Sequence, residues 1–252
     1  MNIWRHTRGR EGLYRPAGRM PDCERCPVRD HSMCAGLNAA ERKWLAEKTD
    51  QLEAPSGQVL YYEGDAARHF LTIRSGVVRL VRAFPDGRRS IVGFLHEGDY
   101  LGGGFGRKFY DATAEAVTPL DYCRIAVPDL EALSRDFPGL CHQLAGMAER
   151  RLHAAGEHIV LLSRKTALEK VAAFLLASAE WTGNPDRFDL PMARSDIADY
   201  LGLTIETVSR TMTRLIENQV IALPTPQQVR VLDKAELCAL ARPEGSGVDL
   251  QD

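Results

Sequence analysis

The sequence predicts an α+β chain: an N-terminal antiparallel β-roll of jelly-roll-like form, one long helix, and a C-terminal winged helix-turn-helix. Three observations predict it. Short β-rich runs separated by turn residues fill the stretch from about Gln51 to Val127. A helical pattern then runs from Pro138 to about Ser163. Beyond it, two short amphipathic segments flank a glycine between Arg194 and Leu215. Strands first and helices afterwards indicate an α+β arrangement rather than alternating β-α units.

The β-rich runs are Val59–Tyr62, Phe70–Arg74, Val77–Arg82, Ser90–Leu95 and Leu120–Val127. Gly64-Asp65, Ser75-Gly76, Asp86-Gly87 and Gly98-Asp99 punctuate them. Such signals at roughly eleven-residue spacing mark a sandwich or small barrel. Asp86-Gly87 between two runs reads as a hairpin. Ahead of the strands, Asn38 with Glu41 forms a capping-box pattern that starts a short helix through Glu47. Pro128 and Asp129 open another short helix after them.

On the long helix, Cys141, Ala145, Ala148, Leu152, Ala155, Ile159 and Leu162 fall at alternating a and d positions of a heptad. All are small or apolar, and Glu149, Arg150, Arg151 and Glu157 lie off the seam. A stripe this narrow suits a two-stranded coiled coil, and the alanines allow close approach of two backbones. The expected partner is a second copy of the chain. A helix packed on its own β-roll is the competing reading. A second helix follows from Ala167 to about Glu180, broken by Gly183-Asn184-Pro185.

In the stretch Arg194–Leu215, Ile197, Ala198 and Leu201 give one apolar helix face, Gly202 permits a sharp turn, and Thr204 caps a second helix. Val208, Met212 and Leu215 turn inward, leaving Ile205, Glu206, Ser209, Arg210, Thr213 and Arg214 outward. Such a helix enters the DNA major groove. The candidate DNA-binding residues are Thr204, Glu206, Ser209, Arg210, Thr213 and Arg214. Arg210 can donate twice to guanine, and Glu206 can accept from cytosine N4. Val220–Leu223 and Val229–Leu232 read as the wing.

The totals set limits. The chain has 252 residues with 26% charged, 44% hydrophobic and a net charge of −2, ordinary for a globular protein. A near-neutral total neither supports nor opposes a dimer that reads DNA with a few placed arginines. No apolar run is long enough to span a membrane. Arg5, Arg8, Arg10, Arg15 and Arg19 precede no apolar segment, so no secretory signal is expected and the reading is cytoplasmic. No nucleophile elbow, His-Glu-x-x-His pair or dinucleotide fingerprint occurs, so no enzyme is expected.

The cysteines are Cys23, Cys26, Cys34, Cys123, Cys141 and Cys238. Residues 1–22 lack hydrophobic periodicity; Cys23-x2-Cys26-x7-Cys34 follows on a segment read as flexible, and Cys123 lies on a β-rich run. In a cytosolic chain such thiols suggest metal ligation. Four soft thiolates suit an iron–sulfur cluster or zinc. Zinc commonly uses two short knuckles, and only one is present. Unligated redox thiols remain a further alternative. Cys141 reads as packing in the helix seam and Cys238 as structural.

The order of β-roll, long helix and winged helix-turn-helix resembles the Crp/Fnr superfamily of bacterial regulators over about residues 23–235. The run IETVSR at 205–210 is similar to the recognition helix of the FNR-type branch, with Glu206, Ser209 and Arg210 at its reading positions. The resemblance implies a β-roll sensor, a homodimer seam through Ala145, Ala148, Leu152, Ala155, Ile159 and Leu162, double-stranded DNA bound at TTGAT-type half-sites, and contact with RNA polymerase near Asp86-Gly87. The cysteine pattern resembles that of oxygen-sensing members, which implies a 4Fe-4S cluster on Cys23, Cys26, Cys34 and Cys123. A regulator sensing nitric oxide, haem ligands or thiol redox state is the alternative. The Arg-Ser pair of cyclic-nucleotide members is missing. Tyr110-Asp111 stands about where it would be, an aspartate repels phosphate, and no cyclic nucleotide is expected.

Two positions depart from the branch. Ala155 stands where some members carry an acidic residue that keeps the cluster-free form monomeric. Pro27 follows Cys26 and has no N–H to donate toward a cluster sulfur. The expected segments are an N-terminal arm with the cysteine cluster at 1–36, the β-roll at 37–137, the dimerisation helix at 138–163, the DNA-binding domain at 164–235 and a tail at 236–252.

Overall fold

A computed structural model describes residues 20–104, 106–164 and 166–241. The arginine-rich start through Arg19 and the tail from Arg242 lie outside the described residues. The chain forms two compact units that divide between residues 147 and 148, with 83–91 grouped with the second.

Among the described residues the first unit opens with turns from residue 20 and a 3-10 turn, Met33–Gly36, then α1 (Ala39–Glu47). Asn38 caps α1 as expected: its side chain accepts from the Glu41 amide, and the Glu41 carboxylate accepts from the Asn38 amide. Eight strands follow: β1 (Thr49–Ala54), β2 (Val59–Tyr61), β3 (His69–Ser75), β4 (Val78–Ala83), β5 (Arg89–Leu95), β6 (Tyr100–Gly102), β7 (Thr113–Ala116) and β8 (Leu120–Ala126). They build two four-stranded sheets, ordered β1-β8-β3-β6 and β2-β7-β4-β5. Leu52, Leu71, Ile73, Val78, Leu101, Ala114, Leu120 and Tyr122 form one core of this β-roll. Each large apolar side chain fully buried there contributes about 1.5–3 kcal/mol.

The sheet β1-β8-β3-β6 has a second covered face. Leu71 and Ile73 of β3 belong to the first core, whereas Phe70 joins a second one with Met33, Leu37, Leu45, Ile125, Leu130, Leu133, Leu140, Leu144 and Met147. These come from the N-terminal segment, α1, α2 (Val127–Asp136) and the start of α3 (Pro138–Arg164). With both faces covered, β3 is buried almost continuously instead of alternating. The glycines at 102 and 103 serve strand packing, since a Cβ there would lie 2.4 Å from the His69 and Ala67 carbonyl oxygens.

The second unit holds α4 (Ala167–Trp181), β9 (Arg187–Asp189), α5 (Arg194–Leu201), α6 (Ile205–Glu217), β10 (Ile221–Thr225), β11 (Gln228–Val231) and α7 (Lys234–Ala241). Its small sheet runs β10-β11-β9. Helix α7 crosses the expected boundary at 235/236. It packs on α4 and buries Leu237 and Ala241, so the DNA-binding unit continues past the point where the sequence drew a tail. The long helix α3 is likewise shared, since Leu140, Leu144 and Met147 are buried in the first unit while residues from 148 belong to the second.

Candidate metal centre and nucleic-acid interface

Period-two geometry decides which residues meet behind β8. Cα pairing sets Cys123 opposite Gln51 of β1 and Thr72 of β3, and sets Ile125 opposite Thr49 and Phe70. Leu120 and Tyr122 enter the β-roll core, so Asp121, Cys123 and Ile125 point the other way. Phe70, Thr72 and Arg74 share that face on β3. The N-terminal segment closes over it. Cys23, Cys26, Cys34 and Cys123 line one pocket, together with Thr49, Thr72 and Arg74 and the apolar walls Val28, Met33, Leu45, Phe70 and Ile125.

The expectation of a flexible cysteine segment is corrected here. Val28, Ser32, Met33 and Leu37 are buried, at irregular spacing that no periodicity reveals. Turn bonds fix the backbone: the Arg29 amide donates to the Cys26 carbonyl at 3.2 Å and the Ser32 amide to Val28 at 3.0 Å. The Ser32 hydroxyl accepts from the Cys34 amide at 3.3 Å. Arg42 of α1 donates to the Glu24 carboxylate at 3.2 Å and also to the Leu37 carbonyl. Helix α3 holds the segment directly, because Gln143 donates to the Ser32 carbonyl at 3.0 Å. Gly36 and Gly139 pass so closely that a Cβ on Gly36 would lie 2.3 Å from the Gly139 oxygen.

The four thiols are all partly buried and unbridged. Burial pushes the Cys34 thiol up to about 12, against the Ser32 hydrogen bond, with Cys23 and Cys26 adding to the rise. Burial also raises Cys123, and Arg74 only partly offsets it. Cys23 is raised by burial and by Cys26. Metal ligation would remove those protons. Among the described residues, no three Cys, His, Asp or Glu side chains stand in the geometry that holds one metal ion.

Two buried donors in the pocket wall lack a hydrogen-bond partner: Arg74 Nε and Thr49 Oγ1. Arg74 Nη1 pairs with the Asp121 carboxylate at 3.1 Å, and Gln51 donates to the same carboxylate at 3.2 Å. Four soft thiols with two unpaired donors and apolar walls form a donor set that fits a thiolate-bound cluster.

The second functional surface is local. Gly202 ends α5 with φ 61°, the left-handed turn that a Cβ would resist, and its N–H reaches the Ala198 carbonyl. Thr204 caps α6 by accepting from the Thr207 amide at 3.2 Å. Val208, Met212 and Leu215 are buried. Thr204, Ile205, Glu206, Ser209, Arg210, Thr213 and Arg214 are exposed, all on the face the sequence assigned. The Glu206 carboxyl is held low by its own backbone amide and by the Thr204 hydroxyl, so it stays an acceptor. Behind the motif, the buried Lys170 ammonium donates to the Leu201 carbonyl at 3.2 Å, at the negative end of α5.

On α3, Cys141, Ala145, Ala148, Leu152, Ala155, Ile159 and Leu162 are all exposed in the single chain, Leu152 by 75% and Ile159 by 66%. Cys141 is not packed within its own chain; its thiol donates to the Ser134 carbonyl at 3.1 Å. Sequence reasoning missed Arg74 and Thr49. The signal was available in the alternation Phe70-x-Thr72-x-Arg74 beside Asp121-x-Cys123, but only the strand pairing makes it legible.

Comparison with known proteins adds the following. Residues 51–137 match the family described as cyclic nucleotide-binding domain, and residues 169–240 the Crp-like helix-turn-helix domain. The chain is 39% identical over 223 residues to the nitrogen fixation regulation protein FixK of Bradyrhizobium diazoefficiens, covering 87% of this chain and 93% of that one. It is 34% identical over 234 residues to the transcriptional activator protein FnrL of Cereibacter sphaeroides, covering 89% and 94%. The solved structure of FixK2 from Bradyrhizobium japonicum superposes with a TM-score of 0.73 over 77% of this chain and 98% of that one, at 30% identity.

Proposed function

The chain belongs to the Crp/Fnr family of DNA-binding transcriptional regulators, and on that footing we propose that it is a homodimeric, oxygen-responsive member. In this reading Cys23, Cys26, Cys34 and Cys123 hold a 4Fe-4S cluster, and α6 reads a palindrome of TTGAT-type half-sites. The relatives' names speak of regulation and activation; the cluster reading rests on this chain's own thiols. The observation that carries it is the gathering of all four in one pocket with two unpaired buried donors.

A bound cluster would supply an oxygen-labile redox centre. The residues do the rest. Thiolates on the segment and on β8 tie the chain's start to the sheet. Gln143 and the Gly36–Gly139 crossing pass the position of that segment to α3. The exposed seam of α3 pairs two copies, which sets two α6 helices about one DNA turn, roughly 34 Å, apart. Arg210, Ser209 and Glu206 then address base edges. Zinc commonly uses two short cysteine knuckles, and this chain has one. Cyclic nucleotide is not the expected ligand: Tyr110 is buried, stacked 3.8 Å from Tyr61, and Arg107 pairs with Asp111. The polymerase-facing surface is read at the Asp86-Gly87 hairpin.

The test is an absorption spectrum with iron and sulfide counts on protein purified without oxygen. A band near roughly 400–420 nm that fades in air, with iron and sulfide in equal amount, is expected. Colourless protein, or protein holding zinc, overturns the cluster and leaves the DNA reader in place.

A further inference from the structure

We propose that Arg74, seconded by Thr49, donates to the cluster sulfurs from the β-roll wall and thereby sets the cluster's reduction potential and its lifetime in air. The inference rests on the cluster reading above and assigns to this chain's own side chains a role that the cysteine pattern does not reveal.

Arg74 sits in the pocket wall with its side chain 11% exposed. A buried guanidinium needs a counter-charge and partners for its N–H groups. Asp121 supplies the charge at one end, and Gln51 in turn braces Asp121. The Nε–H nevertheless has no acceptor. The guanidinium lines the same pocket as Cys23, Cys26, Cys34 and Cys123. Thr49 Oγ1 is the second buried group without a partner in the same wall. Leaving two such donors unpaired is costly, so the pocket is built for an acceptor. Sulfur bound to iron is such an acceptor. Pro27, directly after Cys26, removes the backbone donor that would otherwise stand beside that ligand. Arg74 offers a side-chain donor to the same pocket from β3, an inner strand of the sheet β1-β8-β3-β6.

The charge gives the direction. A four-thiolate cluster is an anion and gains negative charge on reduction. A fixed cation with donated N–H groups favours the reduced and intact forms over the oxidised one.

The test compares full-length wild type with Arg74→Met, Arg74→Lys and Thr49→Val, all purified without oxygen. Iron and sulfide content, midpoint potential and the rate at which the visible band is lost in air are measured for each, with circular dichroism to report folding. Arg74→Met should load iron, show a more negative midpoint potential and lose its band about tenfold faster in air, the scale at which outer-shell partners act. Arg74→Lys keeps the charge without the planar donors and should fall between. Thr49→Val should shift in the same direction by less. Wild type and Arg74→Met that load equally, with the same potential and the same decay, overturn the role of Arg74 while leaving the cluster standing. Wild type that holds no iron sinks the cluster reading, and this inference with it. If Arg74→Met fails to fold, the Lys and Val variants decide: wild-type potentials in both overturn the proposal.

Discussion

The two functional regions of this chain are assembled in opposite ways. The candidate DNA-reading surface is local: seven exposed residues of one turn and one helix, Thr204 to Arg214, supported by Gly202 at one end and by Val208, Met212 and Leu215 beneath. The thiol pocket is not. It draws Cys23, Cys26 and Cys34 from an irregular segment, Thr49 from β1, Arg74 from β3 and Cys123 from β8. A local surface survives as long as its own helix pair folds. A collected pocket depends on strand register and on the packing of a segment without regular structure, so it can open locally while the helix pair stays folded.

Substitutions separate the two regions. The largest effect is expected for Cys123→Ser, which should reduce bound iron to background while α5 and α6 keep their fold, measured by iron content and by circular dichroism. Next comes Arg210→Ala. It should weaken binding to a TTGAT palindrome by about 1–3 kcal/mol, roughly 5- to 150-fold, with iron content unchanged. Equal loss of iron in that variant would show that the two regions are not independent in the way drawn here.

Gly36→Ala tests the contact between the segment and α3. A Cβ there meets the Gly139 carbonyl at 2.3 Å, so backbone must move. Overpacking of this kind costs about 1–3 kcal/mol, read as a lower thermal midpoint of the protein. It should also reduce iron loading, because Cys34 lies two residues away. The smallest effect is expected for Ala155→Asp. Like charges across the seam cost about 1 kcal/mol at close range in water. Cluster-free protein should self-associate roughly fivefold more weakly, and sedimentation velocity would show whether the dimer has become more dependent on the cluster.

Legibility in the sequence follows the same division. The helix pair was readable because its signals lie within a few residues of one another: the 3.6-residue spacing of Ile197, Ala198 and Leu201, the glycine, the capping threonine. The exposed stripe of α3 and the Asn38 cap were readable for the same reason. Four strands were not. β6 and β9 are three residues each, β7 reads Thr-Ala-Glu-Ala, and β1 buries only Leu52 and Ala54. None carries enough β-branched or aromatic residues to declare itself. The cysteine spacing was visible in the sequence, yet the firmness of their segment rests on Val28, Ser32 and Met33, which follow no period. Arg74 and Thr49 become neighbours of the thiols only through the pairing of β1, β8 and β3.

The central claim is that the thiol pocket governs the DNA reader. Its most direct test is the affinity of one anaerobic preparation for a TTGAT palindrome, measured before and after exposure to air at fixed salt. The account predicts at least tenfold tighter binding before exposure, falling in step with the visible band. Equal affinity in the two states, with the band lost, would contradict it.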